Sequence, residues 1–198
     1  MEKMPQQPSI AQYAMNYGAV LGLYYIGKFM LFPLSFKSGF AGLLFVVLTL
    51  LAPLLAYRLT KRFRFAYEAP ILPKQENAES LTENIPLNFS RVWSFTLQLF
   101  FYASLLVAAI HYIYFTFFDN GTIAMAFNDS LAQMQSTTIE GVTDKASWQT
   151  QLDSMKQTFD TLAAMSPAQL TLQLFGNNLF WGCIAALPIA VLNARRPS

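Results

Sequence analysis

Four long apolar runs, none broken by more than one charged residue, leave this chain few folding options. They cover residues 10–34, 39–57, 92–118 and 168–192. A helix needs about 20 mostly apolar residues to cross the hydrocarbon core of a bilayer, so each run predicts a transmembrane helix. Backbone groups cannot hydrogen-bond to lipid, and a helix is the one open-chain structure that satisfies them within a single segment. The expected fold class is all-α and integral to the membrane: a four-transmembrane-helix bundle forming one domain over residues 1–198. Composition agrees. Hydrophobic residues make up 54% and charged residues 12% of the chain, about half the charged share of an average soluble domain.

The polar segments between the runs set the topology. Ser35 to Ser38 is the whole connection between the first two runs, which makes them a tight antiparallel pair. Residues 58–91 form a loop with prolines at 70, 73 and 86 and acidic residues at 68, 76, 79 and 83. It reads as irregular and lying along the membrane surface. Lys3, Arg58, Lys61, Arg62, Arg64, Lys74, Arg91, Arg195 and Arg196 fall on one side of the membrane. Lys37, Lys145 and Lys156 fall on the other, with Lys28 near its interface. Cytoplasmic loops carry the excess of Lys and Arg, so both termini are predicted to be cytoplasmic. The N-terminal segment carries Glu2 beside Lys3 and no small-x-small cleavage site follows the first run, which therefore reads as a retained helix.

Residues 119–167 then lie outside. Phe127, Leu131 and Met134, followed by Trp148, Leu152, Met155, Phe159 and Leu162, recur at helical spacing. The second series steps by four and three, a narrow seam suited to helix-on-helix packing. Two external helices are predicted, with a turn near Glu140-Gly141 and Asp144 capping the second, as a small cap over the outer span ends. Trp148, Leu152, Met155 and Phe159 are candidate partner-packing residues. So are Gly18 and Gly22, a small-xxx-small pair that lets helix backbones approach closely.

Candidate ligand-binding residues are the polar ones inside the runs. His111, the single histidine, lies roughly 10 Å inside the outer end of the third run, and Gln173 lies at similar depth in the fourth. They can pair across helices, as a proton-responsive site or as a structural bond. Asn177 and Asn178 fall near mid-membrane, where an unsatisfied amide costs several kcal/mol. Gly176 before them predicts close approach of another backbone or local unwinding. The group either lines a polar path or holds helices together. Asn16 and Gln98 invite the same reading near the other face.

Catalytic signatures are missing from the sequence. No spaced His, Cys or carboxylate set marks a metal site, and no phosphate-cradling glycine loop with its Lys is present. No cofactor is expected. Asp119 and Asp129 are external and read as caps, and no Asp or Glu lies in any run, which counts against a proton-coupled carrier. The lone Cys183 reads as a small apolar side chain. Asn-x-Ser/Thr triplets begin at Asn88, Asn120 and Asn128. A net charge of +2 excludes a dense nucleic-acid face.

The run Asn16-Tyr17-Gly18-Ala19-Val20-Leu21-Gly22 and the segment Tyr112-Ile113-Tyr114-Phe115-Thr116-Phe117-Phe118-Asp119 resemble domain-of-unknown-function family 4199. So does the close from Ser166-Pro167 through Gly182 and Ala185-Ala186-Leu187 to Arg195-Arg196. The family comprises four-span membrane proteins, mainly of Bacteroidota. The resemblance implies a bacterial inner (cytoplasmic) membrane and a periplasmic helical segment. Genes near polyprenyl-phosphate glycosyltransferases imply a partner enzyme, and no catalytic residues carry over. His111 stands where the family pattern leads one to expect another polar residue, often Asn.

Two functions follow as expectations. The first is a non-enzymatic accessory or scaffold subunit of a membrane complex, its partner a lipid-linked-sugar glycosyltransferase. The alternative is a small transporter or lipid-binding membrane protein, with His111, Gln173, Asn177 and Asn178 along a polar path. Expected partners are membrane lipids, a membrane protein or further copies of the chain, and no nucleic acid.

Overall fold

The computed structural model describes residues 9–68, 88–119, 121–136 and 145–194. These residues form six helices: α1 (Ile10–Ser35), α2 (Gly39–Glu68), α3 (Phe89–Phe117), α4 (Thr122–Ser136), α5 (Lys145–Ala163) and α6 (Pro167–Asn193). No strand occurs among them. Helices α1, α2, α3 and α6 are each long and apolar enough to cross a membrane. The fold is an all-α, multi-pass membrane bundle with two further helices between the third and fourth spans.

The helix starts follow local chemistry. Ser9 and Gln12 form a reciprocal cap on α1, Gln12 N donating to Ser9 Oγ (3.2 Å) and Ser9 N to Gln12 Oε1 (2.8 Å). Ser166 and Gln169 repeat this on α6 (3.3 and 3.0 Å), with Pro167 in the first helical position, where a missing N–H costs nothing. Asn88 Oδ1 accepts from Arg91 N on α3, and Asp119 Oδ1 from Ile123 N on α4. Gly121 between α3 and α4 has φ 76°, a left-handed turn natural to glycine.

One boundary differs from expectation. Helix α2 runs eleven residues beyond Tyr57, to Glu68, through what reads in sequence as the start of a loop. The basic residues continue the helix because they alternate with an inward stripe. Leu59, Thr60 and Phe63 are buried while Lys61 and Arg62 are exposed, as expected of a helix leaving lipid with one face still packed. Residues 69–87 of the expected surface loop, the turn at Glu140-Gly141 and the cap at Asp144 lie outside the described residues, and residues 89–91, expected in that loop, form the start of α3.

The chain divides into two compact units. Among the described residues, the first takes α1 up to Tyr24, α2 from Leu50, α3 up to Leu106 and α6 from Asn177. Its centre is the Phe63–Phe95 stack, centroids 3.8 Å apart and planes within 5°, with Tyr13 and Tyr17 edge-on around it. Small residues set the helix spacing. A Cβ on Gly18 would come within 2.7 Å of Tyr102 Cβ, and one on Gly182 within 2.8 Å of Phe100. Arg64 Nη1 donates to Asn193 O at 3.0 Å, placing a cation at the C-terminal end of α6, where the helix dipole favours one.

The second unit takes α1 from Tyr25, α2 up to Thr49, α3 from Val107, all of α4 and α5, and α6 up to Gly176. Aromatic rings fill it. Phe29 packs on His111, Tyr114 and Phe115, and Phe32 on Phe36 and Phe45. Phe36 meets Phe127, which stacks on Phe159 at 3.7 Å. That chain of rings ties the α1–α2 corner to α4 and α5.

Candidate functional site

Within the second unit, α4, α5 and the α1–α2 corner line a half-open cleft of about 670 Å³. Ser35 and Phe36 line it from the corner, Phe127, Ser130, Leu131, Gln133 and Met134 from α4, and Trp148 and Met155 from α5. The lining follows from helical register. Helix α4 buries Ile123, Ala126 and Leu131, and the flanks of that stripe turn Phe127, Ser130 and Met134 to the cleft. Helix α5 buries Leu152, which places Trp148 and Met155, one turn either way, on the same side. The walls are mostly apolar, with the Ser35 and Ser130 hydroxyls and the Gln133 amide as polar points. Ser35 Oγ donates to Phe32 O at 2.6 Å and Ser130 Oγ to Ala126 O at 2.9 Å, so both hydroxyls are held by their own helices. A cleft of this size is in the range that takes a small ligand or a bulky side-chain cluster.

The seam on α5 is therefore spent largely within the chain. Leu152 is buried, Phe159 stacks on Phe127, and Trp148 and Met155 face the cleft. Gly18 and Gly22 likewise meet α3 of the same chain: a Cβ on Gly22 would lie 3.0 Å from Leu106 and 3.2 Å from the Ala103 carbonyl. They are intrachain packing positions and present no free face to a partner.

The intramembrane polar residues are not gathered into one lining. His111 is buried against Phe29, ring centroids 4.1 Å apart, and neither ring nitrogen has a hydrogen-bond partner. The expected bond to Gln173 does not form. Thr171 is the buried residue at that end of α6, and two positions further is about 200° around the helix, so Gln173 is exposed. Asn177 is exposed and Asn178 half-buried, as adjacent positions about 100° apart dictate. Nothing approaches Gly176 within 4 Å; the close approach on α6 is at Gly182. Asp119 serves as the α4 cap, and Asp129 is exposed on α4.

Sequence reasoning did not single out Ser35, Phe36, Ser130 or Gln133. No periodicity marks a corner residue such as Phe36, whose role depends on which helix folds back over it. Among the described residues, no group of three or more His, Cys, Asp or Glu is placed to hold a metal ion.

The helices define a multi-pass, all-α membrane bundle with two further helices between its third and fourth spans. The chain belongs to the family described as protein of unknown function (DUF4199), whose profile matches residues 16–195. Neither a curated protein nor a solved structure matches it.

Proposed function

We propose that the protein is a non-enzymatic accessory subunit of a membrane complex, and that the cleft between α4, α5 and the α1–α2 corner seats an apolar segment of its partner. One observation carries this reading. The extramembrane pair presents Met134, Met155 and Trp148 around a preformed cleft, and Met134 and Met155 are 43% exposed each. Flexible thioethers beside a large aromatic ring suit an adaptable protein contact. On this reading the partner is a glycosyltransferase acting on polyprenyl-linked sugars in a bacterial inner membrane. The basic end of α2, with Arg58, Lys61, Arg62 and Arg64, supports cytoplasmic termini and an external α4–α5 pair.

Mild-detergent extraction from native membranes, followed by mass spectrometry, tests the reading. A stoichiometric membrane enzyme is expected, lost on Trp148→Ala while the four spans keep their melting temperature. A partner that stays bound to Trp148→Ala, or no protein partner at all, refutes it. The alternative, a small transporter or lipid-binding protein, draws support from the cleft's mostly apolar walls, which also suit a lipid chain. A lipid retained in one-to-one ratio by the same preparation, and released by Trp148→Ala, favours it instead.

A further inference from the structure

Lys28 is the single charged residue of α1 and sits seven residues before its end at Ser35, about 10 Å at 1.5 Å per residue. A lysine at such a depth ordinarily runs its stem toward the nearer interface and leaves its ammonium among the headgroups. Here the ammonium turns the other way. Nζ stands 5.3 Å from the centre of the Tyr25 ring, one turn nearer the middle of α1. It stands 5.5 Å from the centre of the Phe45 ring, six residues into α2. Aromatic faces hold a cation without neutralising it. No carboxylate of the bundle does so either. Residues 10–35, 39–67, 89–117 and 167–193 contain no Asp or Glu, and among the described residues Lys28 makes no ion pair. Its chain neighbour Phe29 packs on His111, whose ring is neutral or positive. Lys28 is half-buried, and Gly27 beside it is exposed, with nothing within 4 Å of where a Cβ would stand, so another helix backbone can come close there.

We infer that Lys28 is the contact for a different membrane protein, whose span carries an Asp or Glu at the same depth and pairs with the ammonium. The partner's chemistry follows from the charge. An ammonium kept at this depth is costly, and ionisable groups within membranes pair with one another. A second copy of the chain has no carboxylate in its spans to offer. A lipid phosphate lies at the interface, toward which this side chain does not extend. A carboxylate on a neighbouring span meets the ammonium at its own level, and one such pair fixes the depth of the two spans against each other. This contact rests on the accessory reading, since it requires a partner, and it is separate from the cleft.

Photo-cross-linking of the full chain in native membranes tests the pair, with a diazirine-bearing amino acid at Leu31, one turn from Lys28. The expected adduct is with another membrane protein, and mass spectrometry of the joined peptide shows an apolar span containing an Asp or Glu. Its yield is expected to fall roughly 10- to 100-fold in Lys28→Met, which keeps the apolar stem, and to recover in Lys28→Arg. Lys28→Glu, combined with a lysine in place of the partner's acid, is expected to restore the adduct, which a misfolded variant would not do. An adduct with lipid alone, with a second copy or with a span lacking an acid overturns the proposal. So does the absence of any adduct, an unchanged yield in Lys28→Met, or no restoration on exchange of the charges. A partner lost on Trp148→Ala but kept by Lys28→Met leaves the cleft as the seat and refutes the charge pair. A partner lost on Lys28→Met but kept by Trp148→Ala does the reverse.

Discussion

His111 is a polar ring held among Phe29 and Phe115 with both nitrogens unpartnered. A buried, unsatisfied polar group costs about 1–3 kcal/mol. His111→Phe keeps a flat ring of similar reach and removes that cost. It is expected to raise stability by about 1–2 kcal/mol, read as a higher thermal midpoint in detergent; a lower midpoint would assign His111 a favourable partner. The glycines give an opposed pair. At Gly18 a methyl would press on the Tyr102 Cβ and the Leu99 carbonyl, so Gly18→Ala forces α1 and α3 apart and is expected to cost about 1–3 kcal/mol. At Gly176 nothing lies within 4 Å, so Gly176→Ala is expected to gain roughly 0.5–1 kcal/mol from helix propensity alone. Unfolding of the two variants side by side checks both signs.

At the scale of elements, aromatic contacts fasten the α4–α5 pair. The Phe127–Phe159 stack joins the two helices, and the Phe36–Phe127 edge contact joins them to the α1–α2 corner. Full burial of a Phe makes its truncation cost about 3–5 kcal/mol. Phe159 is half-buried, so Phe159→Ala is expected to cost nearer 2 kcal/mol, and to act locally. Hydrogen exchange should speed up across α4 and α5 while α1, α2, α3 and α6 keep their protection. Uniform loosening of all six helices would show that the pair is instead integral to the bundle. Helix α3 behaves differently: a third of its most apolar stretch is buried, against 17–22% in the other three spans. It is the element that Gly18, Gly22 and Gly182 approach, and substitutions there reach every neighbour at once.

At the scale of the whole molecule, the distribution of basic residues makes a topological prediction. Single cysteines in a Cys183→Ala background, at Lys61 near the end of α2 and at Ser38 between α1 and α2, should react with impermeant maleimide from opposite sides. Lys61→Cys is expected to label only after the cytoplasmic side is opened, and Ser38→Cys in intact cells. The reverse pattern would invert the orientation and place the cleft inside.

Much of the architecture is legible in the sequence. The four apolar runs became the four long helices, because run length against bilayer thickness is a one-dimensional property. Asp119, which reads as a cap in the sequence, caps α4 through a side chain within four residues of the backbone it serves, whereas the caps at Ser9 and Asn88 went unread. The period of Trp148, Leu152, Met155 and Phe159 marked α5 for the same local reason. The extension of α2 past Tyr57 was hidden because charge masked the stripe of Leu59, Thr60 and Phe63. Only the tertiary structure decided which way each face turns. Rotation of α6 about its axis places Thr171 and Gly182 inward and Gln173 and Asn177 outward, and it is set by the fit of Gly182 on Phe100. Depth along a helix can be counted from sequence, but azimuth depends on which small residue meets which ring across a contact. For that reason the polar residues that share a depth do not share a site, while the cleft draws on α1, α4 and α5, which no sequence period connects.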